Sequence, residues 1–195
     1  MKAYSKLLAL LAGAIALVSV ATAATETYNI DPVHSTVGFS IRHIFSKVNG
    51  TFTTFEGSIV VDRDNLEASS AEATIDIASV DTHSEQRDKH LKTPDFFDAA
   101  KFPKMTFKSK SWKKTGDNTF DVTGDLTIKD VTKEVVLKVT SLGFGPGMMG
   151  TPVSGWDIST TIDRTDFGVN GPAMLGKAVG NEVTISISVE ADLKK

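Results

Sequence analysis

Apolar and polar residues alternate with a period of two along most of this chain, and that period predicts strands. Val37, Phe39 and Ile41 share one face, with Gly38, Ser40 and Arg42 on the other. Residues 51–61 continue the pattern, followed by Ala73, Ile75 and Ile77, and Met105 and Phe107 open a run that reaches Trp112. Phe120, Val122, Gly124, Leu126 and Ile128 then mark one face of a longer strand. Val135, Leu137 and Val139 follow, and after them Trp156, Ile158, Thr160 and Ile162. The cleanest alternation is the last, through Val183, Ile185, Ile187, Val189 and Ala191. Asn49-Gly50, Gly116-Asp117-Asn118 and the Gly-rich stretch 143–150 supply tight turns, which join antiparallel strands. The predicted fold is all-β: an eight-stranded antiparallel barrel, with short helices inserted between the fourth and fifth strands. Closure is expected because it removes the sheet edges.

One stretch, 82–98, breaks the alternation. Thr82 and Glu85 fit a capping box. Thr93, Pro94 and Asp95 read as an N-cap, a first-turn proline and an acid at the positive helix end. Two short helices are therefore expected, the second ending before Pro103. His83, Arg87 and His90 lie three and four apart, on one helix face, and Phe96 and Phe97 stand close by. Two roles suit this cluster. It is a site for an amphipathic ligand, with Arg87 as an anion clamp, or a plug in which Arg87 or Asp88 forms a buried ion pair with the barrel.

Composition narrows the setting. Residues 1–23 read as a cleaved export signal: Lys2 and Lys6, then an uncharged apolar run over 7–20, then Ala21-Thr22-Ala23. That run is shorter than the roughly 20 residues a membrane span needs, so no stable membrane anchor is expected. Residues 24–195 are expected to form one domain, in the periplasm. Loss of Lys2 and Lys6 takes the formal charge from −3 to −5, which argues against nucleic acid as a partner. With no Cys in the chain, disulfides, thiolate chemistry and Cys-ligated metals are excluded.

Few local motifs suggest catalysis. Gly145, Gly147 and Gly150 match G-x-G-x-x-G, but Thr151 and Pro152 lead into a strand where a dinucleotide site needs a helix, so a hairpin loop is expected. Met148 and Met149 sit in that loop as soft apolar residues able to line a barrel mouth. His83 and His90 are about 10 Å apart along a helix axis, too far to share one zinc. His34 and His43 are likewise separated along a strand, and only His43 with His90, brought together by the fold, leaves a metal site open. G-x-S-x-G is absent, and Ser35 beside His34 and Asp31 reads as a strand entrance. The pattern around 164–168 allows Arg164 to pair with Asp166, with Gly168 turning and Phe167 capping the core.

Taken in order, these pieces resemble the YceI-like family of lipocalin-like, polyisoprenoid-binding periplasmic proteins. The resemblance rests on Tyr28, Asp31, Pro32, His34 and Ser35; Ile41, Arg42 and His43; and Gly50, Phe52, Phe55 and Gly57. It continues through Ser79 and Thr82, Arg87 to Leu91, Asp95 to Asp98, Phe102-Pro103, Gly124 to Ile128, Thr132-Lys133 and Arg164 to Gly168. Asp130 and Glu134 depart from the Gly and Pro common at that turn. The resemblance implies a lipocalin-like barrel whose interior holds a polyisoprenoid, an isoprenoid quinone or a fatty-acid-like lipid. The reading is a binding or carrier protein without a cofactor or metal. The alternative is an enzyme acting on an isoprenoid or stress-related lipid metabolite, and a homodimer is also open. Chemistry and position nominate Phe39, Ile41, Phe52, Phe96, Phe97, Trp156, Ile158 and Phe167 for the apolar cavity, and Arg42, His43, Arg87, Asp88 and His90 for the ligand head.

Overall fold

The computed structural model describes residues 24–148 and 150–195; the expected export segment and Met149 lie outside them. The strands are β1 (Glu26–Ile30), β2 (Thr36–His43), β3 (Ser46–Phe52), β4 (Phe55–Val61), β5 (Ser70–Asp76) and β6 (Val80–Asp81). The helix α1 (Glu85–Leu91) follows, then β7 (Lys104–Gly116), β8 (Thr119–Ile128), β9 (Val131–Pro146), β10 (Pro152–Asp163) and β11 (Val179–Leu193). These strands form one antiparallel sheet, ordered β1-β4-β5-β7-β8-β9-β10-β11-β2-β3-β6. It closes because β11 is long enough to pair with β2 over Val183–Ser188 and with β1 over Ala191–Leu193. Among the described residues, no helix is long and apolar enough to cross a membrane.

The barrel has eight staves, as the alternation predicts, although the strands number eleven. The first three staves are broken in two. Between β1 and β2, Pro32 has no N–H to give a ladder. There Ser35 Oγ adds to the one backbone bond from Asp31 N–H to Glu190 O (2.9 Å), accepting from Glu190 N and donating to Glu190 O, both at 3.1 Å. Thr53 and Thr54 divide β3 from β4. The turn Ile77–Ser79 divides β5 from β6, with Asp76 capping it by accepting from Ala78 N at 2.8 Å.

The helical insertion therefore follows the third stave rather than the fourth. β5 pairs with β7 only over Glu72–Asp76, and beyond it α1 and residues 92–103 occupy the interval between β6 and β7. One α-helix forms here, not two. Its N-cap is Ser84, and its side chain makes no capping bond. Thr82 is instead drawn to Asp88, which accepts from both its N–H (2.9 Å) and its hydroxyl (2.5 Å). The expected second helix is a series of turns, with Asp98 at φ 52° and Phe97 N–H folded back onto Leu91 O at 3.0 Å. A regular helix would splay the adjacent Phe96 and Phe97 by about 100°. The turns send both rings to the interior.

Two apolar clusters stack inside the barrel. At one end Tyr28, Ile59, Val61, Trp112, Phe120, Val122, Val139, Trp156 and Val189 are buried. At the helix-bearing end are Val37, Phe52, Ile77, Val80, Phe96, Met105, Ile128, Phe167 and Val169. Gly124 lies in the inward row of β8 with no side chain, because a Cβ there meets Phe107 Cζ at 2.5 Å and Lys108 O at 2.6 Å. Since the oxygen is backbone and cannot swing aside, Gly124→Ala is expected to cost about 1–3 kcal/mol in denaturant unfolding. An unchanged midpoint would show that β7 gives way freely.

Candidate ligand-binding site

A cavity of about 420 Å³ runs through the interior, touching both apolar clusters. The size lies in the range of about 300–1,000 Å³ usual for small-molecule sites. Its walls are the inward rows of the strands: Val183, Ile185, Ile187 and Val189 of β11, and Leu126, Val122 and Ile128 of β8. This follows from period-two geometry, since each strand commits every second residue to the interior.

The end opposite the helix is sealed by aromatic rings and a polar knot. Trp156 makes edge contacts with Trp112 and Phe144, at centroid distances of 5.6 and 5.7 Å. Arg63 lies 4.8 Å over Phe144 and donates through Nε to Glu26 Oε2 at 2.6 Å; Tyr28 donates to the same oxygen at 2.6 Å. The Tyr28 hydroxyl holds its proton more tightly than usual, first through burial and then through Glu26, while Arg63 opposes. Deep in this end, Trp112 Nε1 is buried and has no protein partner among the described residues.

Polar groups gather at the other end. His43, Arg87, His90 and Arg164 line the cavity, together with Thr82. Arg87 donates through Nε to Thr82 Oγ1 and through Nη2 to Thr82 O, each at 2.7 Å. Thr82, only 3 % exposed, thus organises both charged residues of the Arg87-Asp88 pair. The connection from helix to barrel is hydrogen-bonded through a hydroxyl, in place of the expected ion pair. His90 Nε2 meets Asp95 Oδ2 at 2.8 Å, and its ring stands edge-on to Phe96 at 5.1 Å.

Arg164 departs furthest from expectation. Asp166 does not pair with it; Lys133 reaches Asp166 instead, at 3.0 Å. Arg164 is 9 % exposed and donates to main-chain oxygens of Gly180 (2.9 Å), Val169 (2.6 Å) and Asn170 (2.5 Å). Burial lowers its pKa, and the nearby Asp163 opposes that shift. A guanidinium keeps its charge in either case.

Seven of the eight apolar candidates line the cavity: Phe39, Ile41, Phe52, Phe96, Phe97, Trp156 and Ile158. Phe167 does not, being packed into the core at 2 % exposure. Among the head candidates His43, Arg87 and His90 line it, while Arg42 and Asp88 stand behind. Sequence reasoning missed Arg164 and also Met105, Phe107 and Trp112; alternation from Met105 and Phe107 puts Trp112 on the opposite face, and the register shift between Ser109 and Ser111 turns it inward.

Metal-ligating groups cluster outside the cavity. Among the described residues Asp31, His34 and Glu190 bring ligand atoms within 4.8 Å of one another, whereas His43 and His90 belong to no such group. His34 Nδ1 and Asp31 Oδ2 are already bonded to each other at 2.6 Å. That bond raises the His34 pKa above its ordinary 6.5 and lowers that of Asp31 below 3.8. The stabilisation from charged His34 is complete below pH 6.5 and fades as pH rises through the raised value. The contribution of ionised Asp31 is present above pH 3.8 and is lost as pH falls through the lowered value. An NMR titration of the imidazole should give a midpoint above 6.5, returning towards 6.5 in Asp31→Asn. A midpoint at or below 6.5 in the unsubstituted protein contradicts the pairing.

Gly147 and Gly150 lie in the connection from β9 to β10, with Gly147 N–H donating to Thr151 O at 2.8 Å and Met148 fully exposed. No helix N-terminus follows for a dinucleotide.

Residues 28–191 match the YceI-like domain family. A UPF0312 protein of Pseudomonas syringae pv. tomato is 38% identical over 182 residues, covering 92% of this chain and 95% of the relative. A UPF0312 protein of Azotobacter vinelandii is 39% identical, covering 95% and 96%. Among solved structures, the Campylobacter jejuni YCEI protein superposes with a TM-score of 0.70 at 34% identity, over 85% of this chain and 96% of that one. Burkholderia cenocepacia BcnA gives a TM-score of 0.77 at 28% identity, over 83% and 99%. A polyisoprenoid binding domain from Saccharophagus degradans shares the fold, at a TM-score of 0.67 and 14% identity over 86% and 98%. The chain belongs to the YceI-like family.

Proposed function

We propose that this member of the YceI-like family is a periplasmic binding or carrier protein for a long-chain isoprenoid or similar amphipathic lipid, held in the barrel interior. The observation that carries the reading is the cavity of about 420 Å³, walled mainly by apolar inward strand rows, with Arg87, His90 and Arg164 gathered at the helix-bearing end. Each methylene moved from water into such a wall contributes about 0.8 kcal/mol, so a long apolar tail binds without specific contacts. A polyisoprenoid, an isoprenoid quinone and a fatty-acid-like lipid all satisfy that requirement. The polyisoprenoid binding domain sharing the fold supports the same reading.

Both tryptophans of the chain line the cavity, so they report directly on occupancy. Titration of delipidated protein with a ubiquinone analogue is expected to quench their emission to saturation, and native mass spectrometry should show a 1:1 complex. No quenching, no adduct and no lipid in an organic extract of the purified protein would sink the proposal. Export has its own test: intact mass from the periplasmic fraction should correspond to a chain starting at Ala24. A chain retaining Met1 in the cytosol contradicts it.

A further inference from the structure

Arg164 carries a charge that nothing in the mechanism of tail binding requires. It opens the short turn Arg164–Phe167 at the end of β10, lines the cavity and is more than nine-tenths buried. Its Nε and Nη1 donors go to three main-chain carbonyls. Among the described residues Nη2 makes one contact, a long 3.4 Å to Asn181 Oδ1, and it has a second N–H to give. The acids beside it in sequence are committed elsewhere. Asp166 pairs with Lys133 at 3.0 Å, and Asp163 caps the turn by accepting from Thr165 N at 2.8 Å and from its hydroxyl.

The rest of the lining does not neutralise this charge. Arg87 also reaches the cavity, and among the described residues its hydrogen bonds go to Thr82, while Asp88 accepts from Thr82 on the other side. Asp95 is bonded to His90. Glu56 and Glu72 border the cavity, but both are exposed, in the outward rows of β4 and β5. Carbonyl dipoles satisfy hydrogen-bond geometry without cancelling a net charge, and Asp163 offsets the burial of Arg164 only in part, through space and with no ion pair between them among the described residues, which leaves a costly buried cation. A carboxylate or phosphate brought in by a ligand cancels it, in a setting where charge-assisted bonds are strong.

We infer that the cavity selects lipids with an anionic head, a carboxylate or a phosphate, and that Arg164 is the residue that reads it. This rests on the lipid-binding reading above and adds the charge of the head. The orientation follows: head at the helix-bearing end, tail towards Trp112 and Trp156.

The test uses paired probes that differ only at the head, farnesyl monophosphate against farnesol and palmitate against palmitamide, titrated by tryptophan emission. The anion of a pair should bind about ten- to a hundredfold more tightly. Preference in one pair alone tells phosphate from carboxylate and still supports the inference. Equal affinity in both pairs overturns it while leaving lipid binding intact, whereas no binding of any probe removes the lipid reading itself. Arg164→Gln should bring the anionic-to-neutral ratio close to one, and Arg164→Lys should keep part of it; a folded Arg164→Gln with the full ratio overturns the assignment to Arg164. Should Arg164→Gln fail to fold, a crystal structure of the unsubstituted protein with farnesyl monophosphate decides. The phosphate is expected in hydrogen-bond contact with Nη2, and a phosphate bound elsewhere overturns the assignment.

Discussion

Trp156→Ala is expected to lower the unfolding free energy by about 3–5 kcal/mol, the range for deleting a large aromatic from a packed core. Trp156 has no solvent exposure and stands edge-on to both Trp112 and Phe144. Its Nε1 donates to Ser154 Oγ at 3.0 Å, and Ser154 is equally inaccessible. The substitution therefore removes ring contacts and strands a buried hydroxyl, which adds its own cost. The surrounding staves cannot collapse to refill the space, because β9 and β11 hold β10 on both sides. Guanidinium unfolding should show a lower midpoint with an unchanged slope. A loss under about 1 kcal/mol would mean that this end is a soft extension of the cavity and not a packed seal.

Ala73→Trp is expected to weaken lipid binding about a hundredfold while leaving the barrel folded. Ala73 is in the inward row of β5, opposite Phe107 of β7 and Gly57 of β4, and it lines the cavity. An indole there occupies the space of three or four methylenes of a bound tail. At about 0.8 kcal/mol each, that is roughly 3 kcal/mol, or two orders of magnitude in Kd. The new ring fills existing space, so thermal stability should hold or rise. Titration with the ubiquinone analogue gives the affinity, and a thermal melt gives the fold. Unimpaired binding by a folded Ala73→Trp would place the lipid outside the barrel. Loss of both fold and binding would show instead that the wall here is already full.

Much of the architecture was legible because a strand's two faces are a local property. Val183 to Ala191 alternate in sequence, and their inward members line the cavity or its packed end. The helical region was legible in outline only. Thr82 and Glu85 have the spacing of a capping box, but Asp88 also reaches Thr82 and offers a carboxylate to its N–H and hydroxyl together. Local spacing does not rank two acids that compete for one threonine. Thr93-Pro94-Asp95 pointed to a second helix, yet the interior accepts the rings of both Phe96 and Phe97 only when the backbone turns.

The period of two, read without coordinates, was enough to determine an antiparallel barrel with an apolar interior, since burying one face of every strand leaves a sheet few other ways to close. It did not separate residues that fill that interior from residues that line a void. Phe167 fills and Trp112 lines, and the difference depends on the distance between staves that are remote in sequence. Charge pairing belongs to the same class. Asp166 is two residues from Arg164 but bonds to Lys133, and only the packing of β9 against the turn after β10 brings those two together. That choice leaves Arg164 as a buried cation beside an apolar cavity. Coulomb energy follows distance in space and burial, and neither is written in distance along the chain.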